Sequence, residues 1–420
     1  MAAGRVTRRG KMGDVLTIYV PSFFNMVGMS IVSPIIPIYS ESFGVDFAVA
    51  SLAITIFAFG RFITDIPAGA MADRVGRRPM MLLGGVLITI SALLNGLTAN
   101  FTLFLLYRFL EGVGSSMWIT ARQALLADIL RQEERGRTLG YFQAVQLIGQ
   151  SAGPTIGGWA AEYWGLNTPF FIYAGTGLIT VALTFSLIFD VKGVQRHREQ
   201  LINPTDVKRI LKNLTFTMAC LGAFTIFFQR SGIRTDILPL YASIEVGLDP
   251  AAVGTLISIA TITNVVFTIP FGYAIDLIGR KPVIMWCIFF TAVADIGFTF
   301  GYSFWTLAIA AVALGVATAG AAEAPLSLST DASHGEPRGL AMGVYRLIAD
   351  SGSMLGPVLL GSVADLGGLR LPFYVMAGIL ITNALLVAIF AKEIIDPPYA
   401  PGKLLKRLWG SKEEPDNSEG

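Results

Sequence analysis

The chain has 420 residues, of which 53% are hydrophobic and 14% charged, with a net charge of +2. A soluble globular chain carries roughly 25% charged residues, so this deficit excludes an ordinary soluble domain and points to a polytopic membrane protein. The only cysteines, Cys220 and Cys287, lie in apolar runs and read as packing residues, and the only histidines, His197 and His334, lie in polar loops, which excludes a histidine proton relay inside the membrane.

In chain order, the basic stretch Arg5, Arg8, Arg9 and Lys11 precedes a long apolar run with no small-residue cleavage site, so a cytoplasmic tail is expected rather than a signal peptide. Twelve apolar runs then follow, each near the ~20 residues that a spanning helix needs. They are helix 1 at 14–39, helix 2 at 47–72, helix 3 at 79–98, helix 4 at 101–125, helix 5 at 138–163 and helix 6 at 169–190. Helix 7 follows at 212–241, helix 8 at 250–274, helix 9 at 282–301, helix 10 at 303–326, helix 11 at 340–364 and helix 12 at 372–391. The linker between helices 6 and 7, with Asn203-Pro204 and mixed charges, is expected to be a solvated connector, and the acidic end from Ser411 to be disordered.

Alternate loops differ sharply in charge. Twenty-four Lys and Arg residues fall in the termini and in the loops after helices 2, 4, 6, 8 and 10, whereas the other loops hold Arg370 alone. Cationic loops stay in the cytoplasm, so both termini and the linker are expected there, in a plasma or inner cell membrane. The expected fold is an all-α polytopic membrane protein of twelve transmembrane helices. Its expected organisation is a six-helix bundle at 1–190, a linker at 191–211, a second six-helix bundle at 212–395 and a tail at 396–420.

The halves are copies. Gly69-Ala-Met-Ala-Asp73-Arg74-Val-Gly76-Arg77-Arg78-Pro79 returns 203 residues later as Gly272-Tyr-Ala-Ile-Asp276-Leu-Ile-Gly279-Arg280-Lys281-Pro282. The same offset carries Asp128 onto Asp331, Gly153-Pro154 onto Gly356-Pro357, Gly158 onto Gly361 and Phe170 onto Phe373. With six spans each, both halves start on the same side, as parallel repeats about an axis along the membrane normal.

Four motifs carry chemistry. In the loop after helix 2, Gly69 permits close helix contact, Asp73 can accept from a neighbouring helix start, Gly76 allows a tight turn, and Arg77 and Arg78 anchor the loop. Helix 5 carries Gly149-x-x-x-Gly153-Pro154-x-x-Gly157-Gly158, a grooved and kinked face suited to a hinge between bundles. Helix 1 carries Gly28 and then Pro34-Ile-Ile-Pro37, marking a break near its outer end. Helix 4 carries Arg108-x-x-Glu111-Gly112-x-Gly114, with the acid and the base on one helical face.

These motifs resemble those of the major facilitator superfamily over about residues 10–395. The helix-5 and helix-1 patterns are similar to those of its twelve-helix drug:proton antiporters. The resemblance implies a gating role for Gly69, Asp73, Arg74, Gly76, Arg77, Asp128, Asp276, Gly279 and Arg280. In that role the loop Asp meets the start of helix 11, and the loop Arg meets Asp128 or its copy Asp331. It implies that helices 1, 4, 7 and 10 line a central cavity, and it associates Arg108 with proton transfer. Glu111 stands where the family has Gln, and Met71 where it has Leu.

A charge inside a bilayer costs about 2.5–3.5 kcal/mol on insertion scales, so it seeks a partner or a cavity. Arg61/Asp65 and Arg346/Asp350 can neutralise each other locally, while Asp236 and Asp295 stand apart. Arg108, Glu111 and Glu323 are the candidate proton-coupling groups, with Glu111 expected as the main proton-linked acid and Glu323 as the alternative; Asn25, Gln229, Arg230 and Arg234 are the candidate substrate-cavity groups. Glu111 reads as a partner for Arg108, as a proton carrier, or as both. Arg108 maps by the repeat onto Ala311, and Arg230 onto Val27, so these charges are additions to a duplicated frame. Helix 10 is expected to be irregular around Gly320 and Pro325.

The leading expectation is proton-coupled antiport of amphipathic small molecules through a lipid-embedded monomer, with no cofactor, metal, enzymatic activity or nucleic-acid partner. A symporter or facilitator for an anionic metabolite or sugar-like solute is the alternative. No Walker loop, metal cluster or nucleophile elbow supports an ATP-driven pump or a membrane enzyme.

Overall fold

The computed structural model describes residues 11–129, 135–188, 204–333 and 338–394, with side chains at 11–16, 127–129, 135–140, 204–206 and 338–339 left out. Most of the basic N-terminal tail, most of the linker and the acidic tail lie outside these residues, as does the Asp128 side chain. Nine helices among the described residues are long and apolar enough to cross a membrane. Helices at Phe101–Ile129 and Arg135–Trp164, and a continuous helical rod from Leu214 to Glu245, bring the long rods to twelve. Those three carry Arg108 and Glu111, the polar helix-5 motif, and Arg230 with Arg234 and Asp236, which is why composition marks them less strongly.

Prolines set the breaks. Helix 1 runs Lys11–Val32 and resumes at Ile35–Glu41. Pro37 offers no N–H and its ring would clash with the Ser33 carbonyl four residues back, so the rod parts there. Helix 10 runs Phe304–Thr318 and resumes at Glu323–Ala332. Pro325 stands in the same relation to Ala321, and this places Glu323 in a fresh first turn, where an acid suits the helix dipole.

Helix 7 is more distorted than its sequence announces. Leu214–Gln229 is α-helical, but Arg230–Ile237 is a wide π-turn segment, and a second one covers Tyr241–Glu245. Pro239 again explains the first: it frees the Thr235 carbonyl, and the backbone before it widens. The Thr235 hydroxyl donates to the Arg230 carbonyl at 3.0 Å, five residues back, and patches the widened turn.

Within the linker, Pro204–Lys212 is an amphipathic helix, not a featureless connector. Ile210 is buried in a cluster with Phe216, Cys220, Ala341 and Tyr345, which fixes the linker to helices 7 and 11.

Each half buries its own core: one cluster holds Trp118, Phe104, Phe170 and Tyr173, the other Phe216's neighbours on helix 7 with Tyr241, Phe298 and Phe373. The repeat persists in detail. Gly112 packs on the Phe57 backbone, and its copy Gly315 packs on the Ala260 backbone. Arg78 bonds the Phe185 carbonyl at 2.5 Å, and its copy Lys281 bonds the Ala388 carbonyl at 2.7 Å. Arg370, the isolated cation of the opposite side, is held by Glu245 at 2.9 Å and by the rings of Tyr241 and Tyr302.

Candidate functional site: a cavity closed at one end

Two helix pairs join the halves. Helix 2 (Phe47–Val75) packs on helix 11 (Arg338–Gly367), and helix 5 (Arg135–Trp164) packs on helix 8 (Pro250–Ile278). Among the described residues, the hydrogen bonds across them lie at the end remote from the two motif loops. In the first seam, Asp365 accepts from the Phe47 and Ala48 N–H groups at 2.8 and 3.0 Å, capping helix 2 from the other bundle. Ser51 donates to Asp236 of helix 7 at 2.5 Å, and Thr55 donates to the Met354 carbonyl at 3.0 Å. In the second seam, the Thr155 N–H and hydroxyl reach Ser258 Oγ at 3.1 and 2.8 Å.

Backbones touch in these seams because glycines permit it. A side chain at Gly158 would strike the Pro250 carbonyl and lie 3.1 Å from Gly254 Cα, and one at Gly254 would strike the Pro154 carbonyl. Their repeat partners form the other seam: Gly361 meets Ser51 and the Phe47 backbone. The helix-5 motif therefore has two faces. Gly149, Gly153 and Gly157 seat helix 1 inside the bundle, against Val27, Ser30 and Ile31, whereas Pro154 and Gly158 meet helix 8 of the other bundle.

Towards the other end the halves part. No atom lies within 4 Å of where a side chain would begin on Gly272 or Gly343, and Ile66, Ile269 and Tyr273 are each about 70% exposed. With the hydrogen bonds across the seams confined to the remote end, the arrangement fits a space between the halves that is closed there and open at the end of the motif loops.

Arg230 and Glu323 are both exposed, and each lies within electrostatic reach of the other. Arg234, half-buried, donates to Thr261 of helix 8. Asp350 of helix 11 interacts with Arg61 across the first seam as well as with Arg346 on its own helix. Arg61 and Arg346 thus share an acid across the seam, beyond local neutralisation.

Other expected site residues turn inward. Gln229, expected on the cavity wall, is buried and donates to Asp295 at 2.9 Å, joining helix 7 to helix 9. Asn25 is buried too. Arg108 and Glu111 form an ion pair of 2.8 Å at 3% and 0% exposure. Asn95 donates to the second carboxylate oxygen at 3.0 Å, the Tyr173 hydroxyl bonds the same group, and Arg108 also reaches the Ala53 carbonyl at 3.2 Å and lies over Phe57. Glu111 thus has a full set of partners between helices 3, 4 and 6, enclosed within one bundle and away from the open space.

At the open end the two loops take the same form. Gly76 and Gly279 have φ of 114° and 115°, values that favour glycine and that let helices 3 and 9 start at once. Arg77 pairs with Asp73, and Arg280 pairs with Asp331 at 3.0 Å and with Asp276 at 3.6 Å. Arg74 caps no further contact in these pairs, and the start of helix 11, the expected partner of Asp73, lies outside the described side chains.

One group escaped the sequence reading: Arg122, near the end of helix 4, is almost fully buried. Asp236, which the sequence left without a partner, carries a cross-bundle bond. A cation at a span end reads as a loop anchor, so composition alone does not mark Arg122 as enclosed.

Comparison with known proteins agrees with this architecture. The family model described as Major Facilitator Superfamily matches residues 18–233 and again 219–412. The chain belongs to the Major Facilitator Superfamily and is a transporter rather than an enzyme. Among curated proteins it is 23% identical to the quinolone resistance protein NorA of Staphylococcus aureus (strain MRSA252) over 377 residues, covering 90% of this chain and 96% of that protein. It is 25% identical to multidrug resistance protein 2 of Bacillus subtilis (strain 168) over 378 residues, covering 88% and 93%. Among solved structures, the nucleoside transporter NupG superposes with a TM-score of 0.77 at 14% identity, over 90% of this chain and all of that one. The human organic anion transporter MFSD10 superposes with a TM-score of 0.64 at 18% identity, over 90% and 100%. Both show the fold.

Proposed function

We propose that the protein is a proton-coupled exporter of amphipathic small molecules working by alternating access in the plasma or inner membrane. The observation that carries this reading is the one-sided cavity, in which cation and acid face the open space from helices 7 and 10. The cation asymmetry of the loops supports a cytoplasmic open end, and in that reading the state described is the loading state of an exporter. The names of the two curated relatives, a quinolone resistance protein and a multidrug resistance protein, support the same direction and substrate class.

Within this reading Glu323 is the proton-linked acid, because it meets the cavity and Arg230 at once. A proton on Glu323 frees Arg230, and a bound cationic group competes with that proton for the carboxylate. Arg108 and Glu111 hold helix 4 to helices 2, 3 and 6. Asp73, Arg77 and Asp128, with Asp276, Arg280 and Asp331, gate the cytoplasmic end.

The test is transport in proteoliposomes with an imposed pH gradient, using a cationic dye and an organic anion in parallel. Uphill movement of the dye, abolished by Glu323→Gln but not by Glu111→Gln, is expected. Dye movement indifferent to the gradient, with gradient-driven anion movement in its place, would transfer the case to an anion symporter.

A further inference from the structure

Among the described residues Arg122 is a cation with no counter-charge. It is 3% exposed, and its guanidinium lies between two rings, with its carbon 4.9 Å from the centre of Trp118 and 4.8 Å from that of Phe142. Its Nε and Nη1 atoms are buried and have no hydrogen-bond acceptor, and no acid among the described residues pairs with it.

Two further buried donors are also left unpaired nearby in sequence to Arg122 or to Phe142. Trp118 precedes Arg122 by one turn of helix 4, and Gln146 follows Phe142 by one turn of helix 5. Trp118 Nε1 and Gln146 Nε2 are also buried without partners. Arg61, the charged group that acts on Arg122, is a second cation, and its acid is Asp350, which it shares with Arg346. By contrast Arg108, 14 residues earlier on the same helix, has a carboxylate at 2.8 Å.

Two aromatic faces recover part of the cost of burying a guanidinium. An uncompensated buried charge remains strongly unfavourable. Replacing it with an apolar side chain would remove that cost, so the planar fork stands in a place suited to an anion. The two rings flank the guanidinium carbon, and its unpaired N–H donors are the groups that suit a carboxylate.

We propose that Arg122 holds a small monovalent anion, either the carboxylate of a transported molecule or a free ion of the same charge. The proposal concerns binding and stands apart from the efflux reading, so the two fail separately.

The test is thermal unfolding of the purified full-length protein, titrated with benzoate and with chloride against isethionate at constant ionic strength. The wild type is expected to gain stability saturably with at least one of these anions. Arg122→Leu is expected to melt higher than the wild type without anion and to show no titration; Arg122→Gln is the second variant should Arg122→Leu not accumulate.

A response to benzoate alone, with efflux of a carboxylate-bearing dye lost in the variant and efflux of a cationic dye kept, assigns the site to substrate. A response to chloride, with both dyes dependent on chloride in the wild type, assigns it to a resident ion. The idea is overturned if neither anion shifts the wild type, or if the variants respond as the wild type does.

Discussion

Two adjacent glycines of helix 5 should behave in opposite ways. In Gly158→Ala the added methyl would meet the Pro250 carbonyl and Gly254 Cα, both backbone and both in the other bundle. Neither can yield unless helices 5 and 8 move apart. In Gly157→Ala the methyl would meet the Ile31 carbonyl of helix 1, inside its own bundle. Overpacking of this kind costs about 1–3 kcal/mol. At Gly158 that cost falls on the sealed state alone, and about 1.4 kcal/mol is a tenfold change in an equilibrium. The sealed-to-parted ratio should therefore drop by about 5- to 150-fold. At Gly157 the cost falls on both states, so folding suffers while the ratio does not. The assay is labelling of Ser258→Cys, within the seam, by an impermeant maleimide from the sealed side, in a background with Cys220 and Cys287 replaced and with that cysteine parent as the reference. Gly158→Ala should accelerate labelling by the same factor, and Gly157→Ala should lower thermal stability without accelerating it. Equal labelling rates in the two variants would refute the assignment of one glycine to the seam and the other to the bundle.

Other outcomes follow from the same geometry. Asp365→Ala removes a cap that crosses the first seam; about 1 kcal/mol for a lost cap should speed labelling of the same cysteine about fivefold, with folding unchanged. Glu111→Leu leaves Arg108 buried without its acid and should lower the stability of the protein by about 3–5 kcal/mol, whereas Arg108→Met with Glu111→Leu should recover most of it in thermal melts. Asp73→Asn should impair transport at normal expression. Asp276→Asn should be milder, since Arg280 lies closer to Asp331 (3.0 Å) than to Asp276 (3.6 Å) and keeps that partner; transport assays on matched expression levels decide it. Cysteines introduced at Gln200 should label only from the cytoplasm, and those at Ser42 and Val246 only from outside; external labelling at Gln200 in intact cells would reverse the orientation.

Much of the frame can be read from residues alone, because the duplication and the apolar runs are strong signals. The break at Ser33-Pro34 and the interruption before Glu323 also follow from proline chemistry. The orientation of side chains within helix 7 does not. Gln229 and Arg230 are neighbours, yet one reaches helix 9 and the other faces open space. A π segment shifts the angular register there, and in a rod that is apolar on most faces no periodicity reveals such a shift. Enclosure of Glu111 was equally hidden, since Asn95 and Tyr173 come to it from distant spans. The linker helix had a sequence signal in Val207, Ile210 and Leu211, spaced as one apolar stripe between charges.

The two seams descend from one ancestral contact, yet they are no longer alike mechanically. One is tied by Asp365, Ser51 with Asp236, and Thr55; the other rests on bare glycine contact and a single serine. A door needs a jamb that holds and a leaf that swings. The unequal fastening predicts a direction for the parting of the halves: helices 5 and 8 are expected to slide apart first while helices 2 and 11 stay pinned as the pivot. Symmetry inherited by duplication would let either side yield. Its loss sets a preferred sequence of movements, and so a preferred side on which the exit first appears.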